Sequence, residues 1–244
     1  MTRKINKIYS LYIRARAVMI TLTTSSKLIW LNLSNKNATK KQFDAILNQW
    51  SDNIINLISA RVTVNNPFKV KIKSNQRYII MCNHSSLLDI PISYKAFPES
   101  SIRMLAKKEL SKIPIFGRSM KAASFPFVER QNRKQAIKDL DFAKKLMLEG
   151  IVLWIAPEGT RSKDGLLHPF KKGAFITAIQ SEAIIIPLAI KGAFDTYHNQ
   201  TNQISLDQDI NLNIGEPIDA KLFSMAQKDE LKDKAQQVME KLLS

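Results

Sequence analysis

The stretch Tyr78-Ile79-Ile80-Met81-Cys82-Asn83-His84-Ser85-Ser86-Leu87-Leu88-Asp89 passes from five apolar residues straight into a polar turn. A short apolar run bounded by a polar turn reads as a buried strand, and the turn NHSSLLD then lies at its carboxyl end. In open α/β sheets that edge is where ligands bind. His84, one of three histidines in the chain, stands there five residues before Asp89.

Moving outward, the same alternation of short apolar runs and longer helical stretches continues. Ile102–Ala106 (IRMLA), Phe125–Val128, Ile151–Ala156 (IVLWIA) and Ile184–Ile190 (IIIPLAI) read as further strands. Lys134–Glu149 carries Ile137, Leu140, Ala143 and Met147 on one helical face and closes at Gly150, while Gly173–Glu182 reads as a shorter helix. From about Ala220, Leu231, Ala235, Val238 and Leu242 repeat at helical spacing, as expected of a covering helix. The predicted fold is therefore α/β, with a mixed, largely parallel sheet flanked by helices.

Ahead of this lies a different segment. Residues 1–43 hold nine Lys or Arg and no acid, the first being Asp44. The apolar stretch from Ala17 to Leu33 is interrupted by Thr, Ser and Lys, and it falls short of the roughly 20 apolar residues that a spanning helix needs. With Tyr9, Tyr12, Arg14, Arg16 and Trp30 as anchors it suits an interfacial segment, although packing on the domain is an open alternative. Thr39-x-x-Gln42 matches a capping box, followed by Phe43, Ile46, Leu47, Trp50, Ile54, Leu57 and Ile58 at helical spacing, facing either the domain or a membrane. We expect residues 1–66 to form a basic, amphipathic helical, membrane-associating arm and 67–244 the α/β domain.

The 244 residues carry 37 Lys and Arg against 21 Asp and Glu, a net +16, which favours partners rich in phosphate or carboxylate. No nucleic-acid motif accompanies the charge, so anionic lipid or an acidic carrier protein is the better expectation. The single cysteine, Cys82, excludes an intrachain disulfide framework and any Cys/His zinc spacing. No metal and no bound cofactor are expected.

Ser86-x-x-Asp89 is compatible with a capping box. It is equally compatible with a proton-transfer pair. On one continuous helix five residues separate side chains by about 140°, so the pair can meet only if His84 sits in the turn and Asp89 near the first helical turn. The aspartate then holds the imidazole as a general base. After the IVLWIA strand, Pro157-Glu158-Gly159-Thr160-Arg161-Ser162 forms a second polar cluster expected on the same rim. Gly159 allows close approach of backbone to ligand, Arg161 offers a forked donor suited to phosphate, and Glu158 orders that arginine or accepts from a ligand hydroxyl. A plain polar loop is the alternative.

Together these segments resemble the glycerolipid acyltransferase family that includes 1-acylglycerol-3-phosphate acyltransferases, over roughly residues 76–190. NHSSLLD looks like the family's H-x4-D block, which implies His84 as catalytic base and Asp89 as its partner. Phe127-Val-Glu-Arg130-Gln-Asn-Arg133 resembles the second block, implying that Arg130 binds the phosphate-bearing acceptor. PEGTRS matches the third, implying Glu158, Gly159, Thr160 and Arg161 as acceptor-site residues. Ile186-Pro187-Leu188 resembles the fourth, implying that Pro187 belongs to the acyl-donor region. Ser124 and Pro126 stand where the second block usually opens with glycine, and Ala156 replaces an aromatic that often precedes the third block. The resemblance implies acyl transfer from acyl-CoA or acyl-carrier protein to the free hydroxyl of 1-acylglycerol 3-phosphate, giving phosphatidic acid. Glycerol 3-phosphate or a lyso-amino-lipid are alternative acceptors, and a non-catalytic anionic-lipid-binding protein is the rival reading. The basic arm suits the cytoplasmic face of a membrane with anionic lipids.

Overall fold

Two helices lead the chain into a twisted sheet that is covered on both faces. The computed structural model describes residues 3–129, 131–198, 201 and 203–244. In chain order these form β1 (Arg3–Lys4), α1 (Lys7–Ser34), α2 (Lys40–Leu57), β2 (Arg61–Asn65), β3 (Tyr78–Cys82), α3 (Asp89–Ser93), β4 (Ile102–Met104), β5 (Ala106–Lys107), α4 (Phe116–Ala122), β6 (Phe127–Val128), α5 (Arg133–Leu148) and β7 (Val152–Ile155). They continue with α6 (Lys172–Gln180), β8 (Ile184–Lys191), α7 (Ala193–Thr196), β9 (Tyr197–His198), β10 (Gln203–Leu206), β11 (Asp209–Ile214), β12 (Ile218–Asp219) and α8 (Lys228–Leu243).

The main sheet runs β2-β11-β8-β3-β7-β4, with β12 also on β8. β3 pairs in parallel with β7 and β8, and β4 in parallel with β7, whereas β11 lies antiparallel to β8. Because β3, β7 and β8 share one direction, the segments following them emerge on one rim.

Successive residues of β3 fall into two different cores. Tyr78, Ile80 and Cys82 join Val152, Trp154, Ile186 and Leu188 beneath α2 and α3, while Ile79 and Met81 join Leu153, Ile185 and residues of α5, α6 and α8. Both faces are thus dry, which is why YIIMC is apolar without alternation. Gly150, at φ +87°, ends α5 in the left-handed conformation anticipated from its place after the helix.

The expected IRMLA strand divides in two. Leu105 N donates to Trp154 O at 2.9 Å, but Ala106 N donates to Pro126 O at 2.9 Å, so the chain changes partner and β5 pairs with β6 instead. The expected boundary at residue 66 also needs correction. β2, inside the supposed arm, is the sheet's edge strand on β11, and β1 pairs with β10. The α2 stripe faces the domain, burying Phe43, Leu47, Ile54 and Ile58, and its capping box is realised through Thr39 N on Gln42 Oε1 at 2.9 Å.

α1 behaves differently from α2. It buries Ser10, Ile13, Ser25 and Leu28 against the protein, yet leaves Ile8, Leu11, Val18, Met19, Trp30 and Leu33 each more than half exposed. Thr21, Thr23 and Ser26 return their hydroxyls to the helix's own carbonyls at 2.9–3.0 Å. No helix among the described residues is long and apolar enough to cross a membrane.

Candidate active site

The rim is built first by Asn83. Its side-chain amide pairs with both backbone groups of Ile190, 3.0 Å to the carbonyl and 2.8 Å from the N–H, extending the β3–β8 ladder by one step after the backbone has turned away. The released chain forms a tight turn, with Asp89 N donating to Ser86 O at 3.4 Å, and enters the five-residue α3. Pro91 lies in its first turn, where a missing N–H is harmless.

Asp89 is fully buried and one of its oxygens is crowded with donors. Oδ2 lies 2.8 Å from His84 Nδ1 and accepts the N–H groups of Ser85 at 2.7 Å and Ser86 at 2.8 Å. The sequence left a cap and a proton-transfer pair as rivals, and the geometry makes them compatible, since the oxygen that caps the turn is also the one that faces the imidazole. A carboxylate facing Nδ1 keeps the proton on that nitrogen, which leaves the Nε2 lone pair for a substrate proton. The imidazole side chain is 16% exposed, enough to be reached from the rim. Behind it Trp154 stands edge-on, ring centroids 5.7 Å apart at 85°. Trp154 Nε1 donates to Ser93 Oγ at 2.9 Å, and Ser93 Oγ donates to the Asp89 main-chain carbonyl at 2.7 Å, so the wall is tied to the backbone that carries the carboxylate.

The register Met81 opposite Ile155 places His84 and Glu158, each three residues further on, side by side. Glu158 is buried, and its two oxygens accept from His84 N at 2.9 Å and His168 N at 3.0 Å. Ser162 N returns a bond to His84 O at 2.7 Å. Burial pushes the Glu158 pKa up, opposed by these two amide bonds. Glu158 thereby rivets the two turns to each other rather than standing as a lone surface carboxylate.

Gly159 has φ +78°, a backbone conformation that strains any residue with a Cβ, and such a Cβ would also have to displace the flexible Lys171 side chain, whose Cδ would lie 2.9 Å away. Thr160 and Arg161 follow on the exposed side of the loop. The loop's far half is gathered by Asp164 Oδ1, which accepts from Ser162 Oγ at 2.7 Å and Leu166 N at 3.1 Å and meets His168 Nε2 at 3.0 Å. Beside the site, an open cleft of about 560 Å³ is lined by Asn83, Ser85, Leu166, Leu167, Ile190 and Phe194, among others.

His84, Asp89, Glu158, Gly159, Thr160 and Arg161 therefore share one rim. Arg130 lies outside the described residues. Pro187 is buried within β8, opposite Met81. Ile184 and Ile190 send their N–H groups toward β3, so alternation turns the side of Pro187 that lacks an N–H to the other edge. That edge is the gap between the β12 pairing, at Ile185, and the β11 pairing, at Leu188. Cys82 is buried, and burial, then the nearby Asp89 charge, hold its thiol well above the usual range, so it is a packing residue. No group of three or more His, Cys, Asp or Glu suited to a metal occurs among the described residues.

Sequence reasoning overlooked Asn83, Ser93, Trp154 and Asp164. For Asn83 a signal existed: an amide one step beyond a buried strand can continue its ladder. Nothing local in the sequence marks the Trp154–Ser93 bond.

Comparison with known proteins places this geometry in context. The family model described as Acyltransferase matches residues 61–191, more than half of the chain. A putative 1-acyl-sn-glycerol-3-phosphate acyltransferase of Caenorhabditis elegans is 30% identical over 162 residues, covering 66% of this chain and 57% of the relative. A coconut palm (Cocos nucifera) 1-acyl-sn-glycerol-3-phosphate acyltransferase is 38% identical over 120 residues, covering 49% and 39%. The chain thus spans about half the length of the curated relatives it matches. The crystal structure of the 1-acyl-sn-glycerophosphate acyltransferase of Thermotoga maritima superposes with a TM-score of 0.79 over 97% of this chain and 93% of that one, at 23% identity, which establishes the shared fold.

Proposed function

Because the chain belongs to the acyltransferase family, we propose that it moves a fatty acyl group from acyl-CoA or acyl-carrier protein to the free hydroxyl of 1-acylglycerol 3-phosphate, giving phosphatidic acid. The names of the relatives support this acceptor. The observation that carries the chemistry is the 2.8 Å bond between His84 Nδ1 and Asp89 Oδ2, on a turn joined directly to the Arg161 loop.

In this reading His84 Nε2 takes the proton of the acceptor hydroxyl as its oxygen attacks the thioester carbonyl. The buried Asp89 carboxylate stabilises the imidazolium that forms. The tetrahedral intermediate expels the thiolate, which leaves with the proton from His84, and the new ester is released. Arg161, with Thr160, the Gly159 backbone and Arg130, holds the acceptor phosphate, and that positioning supplies much of the rate gain. Glu158 serves the acceptor indirectly, by fixing the loop to His84. Pro187 contributes to the donor side through the shape of β8, its side chain being buried.

α1 lies on the membrane without crossing it, its exposed apolar residues in the headgroup boundary and its cations on anionic lipid. A cytoplasmic face fits the cationic segment, since that leaflet carries the negative surface potential.

Purified protein, labelled acyl-CoA and a panel of lysophospholipid, glycerol 3-phosphate and lyso-amino-lipid acceptors test this directly. We expect turnover with 1-acylglycerol 3-phosphate that is lost in His84→Ala. Turnover unchanged by that substitution sinks the mechanism, and preference for another acceptor reassigns the substrate.

A further inference from the structure

Lys112, the last residue of a 3₁₀ turn (Lys108–Lys112), and Ile113, Pro114 and Ile115, which link that turn to α4, are four consecutive exposed residues. Ile113 and Ile115 are each 44% exposed. Ile115 adopts φ 62° and ψ −61°, and Phe116 N donates to Pro114 O at 2.6 Å. This is a γ-turn of positive φ, a rare and strained form that is least favourable for a β-branched residue. A polar or glycine residue would fill such a turn at lower cost, yet here the strain holds an isoleucine out in solvent.

Most of the tip's backbone groups are paired within it. Ile113 N donates to Leu110 O at 3.2 Å, while the Ile113, Pro114 and Ile115 carbonyls accept from Gly117, Phe116 and Ser119 at 2.8, 2.6 and 2.9 Å. Pro114 has no N–H to satisfy. Among these groups only the Ile115 N–H has no partner in the turn, so most of the tip's backbone enters an apolar phase already paired and one N–H is left to headgroup water. The base is rigid, since Gly117 is pressed so closely on the 3₁₀ turn that a Cβ would lie 2.4 Å from Ser111 O.

The surroundings say what the tip meets. From Leu110 to Val128 the chain carries Lys112, Arg118 and Lys121 and no acid, and all three cations are exposed. α4 packs along α1, with Ser119 Oγ on Ser25 Oγ at 3.0 Å. Arg118 and Lys121 share a groove with Ile29 and Leu33 of α1. Apolar tip, ring of cations and adjacency to α1 together fit one partner, a bilayer with anionic headgroups.

We propose that the Ile113–Ile115 turn is a second bilayer-inserting element, separate from α1, which seats the protein on anionic membranes with Arg118 and Lys121 at the phosphates. The inference rests on the membrane reading of α1 above.

Co-sedimentation with vesicles of phosphatidylcholine and phosphatidylglycerol, against phosphatidylcholine alone, tests it in the full-length chain. Ile113→Ser and Ile115→Gly should each weaken binding to the mixed vesicles by roughly tenfold, the share of one inserted isoleucine. Arg118→Gln/Lys121→Gln should weaken binding to the mixed vesicles and leave the neutral ones unchanged. Ile115→Gly should at the same time raise the melting midpoint by about 2–4 °C, because the strained φ is relieved. Turnover of a short-chain, monomeric acceptor should be unchanged in Ile113→Ser. Binding of both isoleucine variants equal to wild type overturns the proposal while leaving the α1 reading intact. If the wild-type chain itself ignores vesicles, the membrane reading falls and this inference with it.

Discussion

Asn83 holds Ile190 by both backbone groups, Nδ2 on the carbonyl at 3.0 Å and Oδ1 on the N–H at 2.8 Å. The clamp is buried, and it fixes the point at which the chain leaves the sheet to place His84. Asn83→Ala strands a buried donor and acceptor, so unfolding free energy should fall by about 2–3 kcal/mol. Denaturant titration measures this. Turnover should fall as well, since the base loses its anchor. A variant as stable as wild type would mean that water replaces the amide.

Asp89→Asn separates capping from catalysis. The amide oxygen can still accept from the Ser85 and Ser86 N–H groups, but the imidazolium formed during transfer loses its counter-charge. The fold should survive while kcat drops by roughly 10²- to 10⁴-fold, with the acceptor KM little changed. Ser86→Ala, whose hydroxyl accepts only a 3.3 Å bond from Leu88 N and donates a 3.3 Å bond to Tyr197 O, should leave kcat close to wild type. Equal losses in the two variants would reduce Asp89 to a cap.

Much of this site is legible in sequence because its parts obey local rules. YIIMC, IVLWIA and IIIPLAI are apolar throughout since both their faces are buried, and parallel strands carry their following turns to one edge. β9, β10 and β12 are only two to four residues long, too short to show a period, and of these four strands only β11, where Ile210, Leu212 and Ile214 alternate, is marked by its sequence. The split of IRMLA depends on where Trp154 and Pro126 offer carbonyls, which no local pattern encodes. Likewise the α2 stripe cannot name its partner, because periodicity shows an apolar face and not what covers it, and the arm boundary fails because β2 pairs with β11, a strand far along the chain.

Asp164 supplies a pH test of the loop to which acceptor binding is proposed. Its pKa is lowered to about 2, first by the Ser162 hydroxyl, then by the Leu166 N–H and more weakly by His168. A depressed folded value means that its contribution to loop order is present above the ordinary aspartate range and is lost as pH falls through about 2. Carbon-detected NMR titration should find that midpoint, and Ser162→Ala should raise it further than His168→Ala does. Because the loop bears Arg161, Asp164→Asn should raise the acceptor KM more than it lowers kcat. A change confined to kcat would remove the loop from acceptor binding.

The ion pair of Arg103 and Asp44 makes the strongest stability prediction. Arg103, 1% exposed on β4, sets Nη1 2.7 Å from Asp44 Oδ1 on α2, donates Nε to Ala123 O at 2.5 Å, and lies over the Phe125 ring at 5.5 Å. Asp44 Oδ2 also accepts from Ser101 Oγ at 2.5 Å. One buried charge without the other is far costlier than neither, so Asp44→Ala should lower stability by about 3–5 kcal/mol. Asp44→Leu combined with Arg103→Met replaces both charges with apolar groups and should recover most of that loss. Urea unfolding of the two single variants and the double variant measures the coupling. Additive losses would show that α2 is held to β4 by packing alone, whereas a strong positive coupling would identify the pair as the tie between helix and sheet edge.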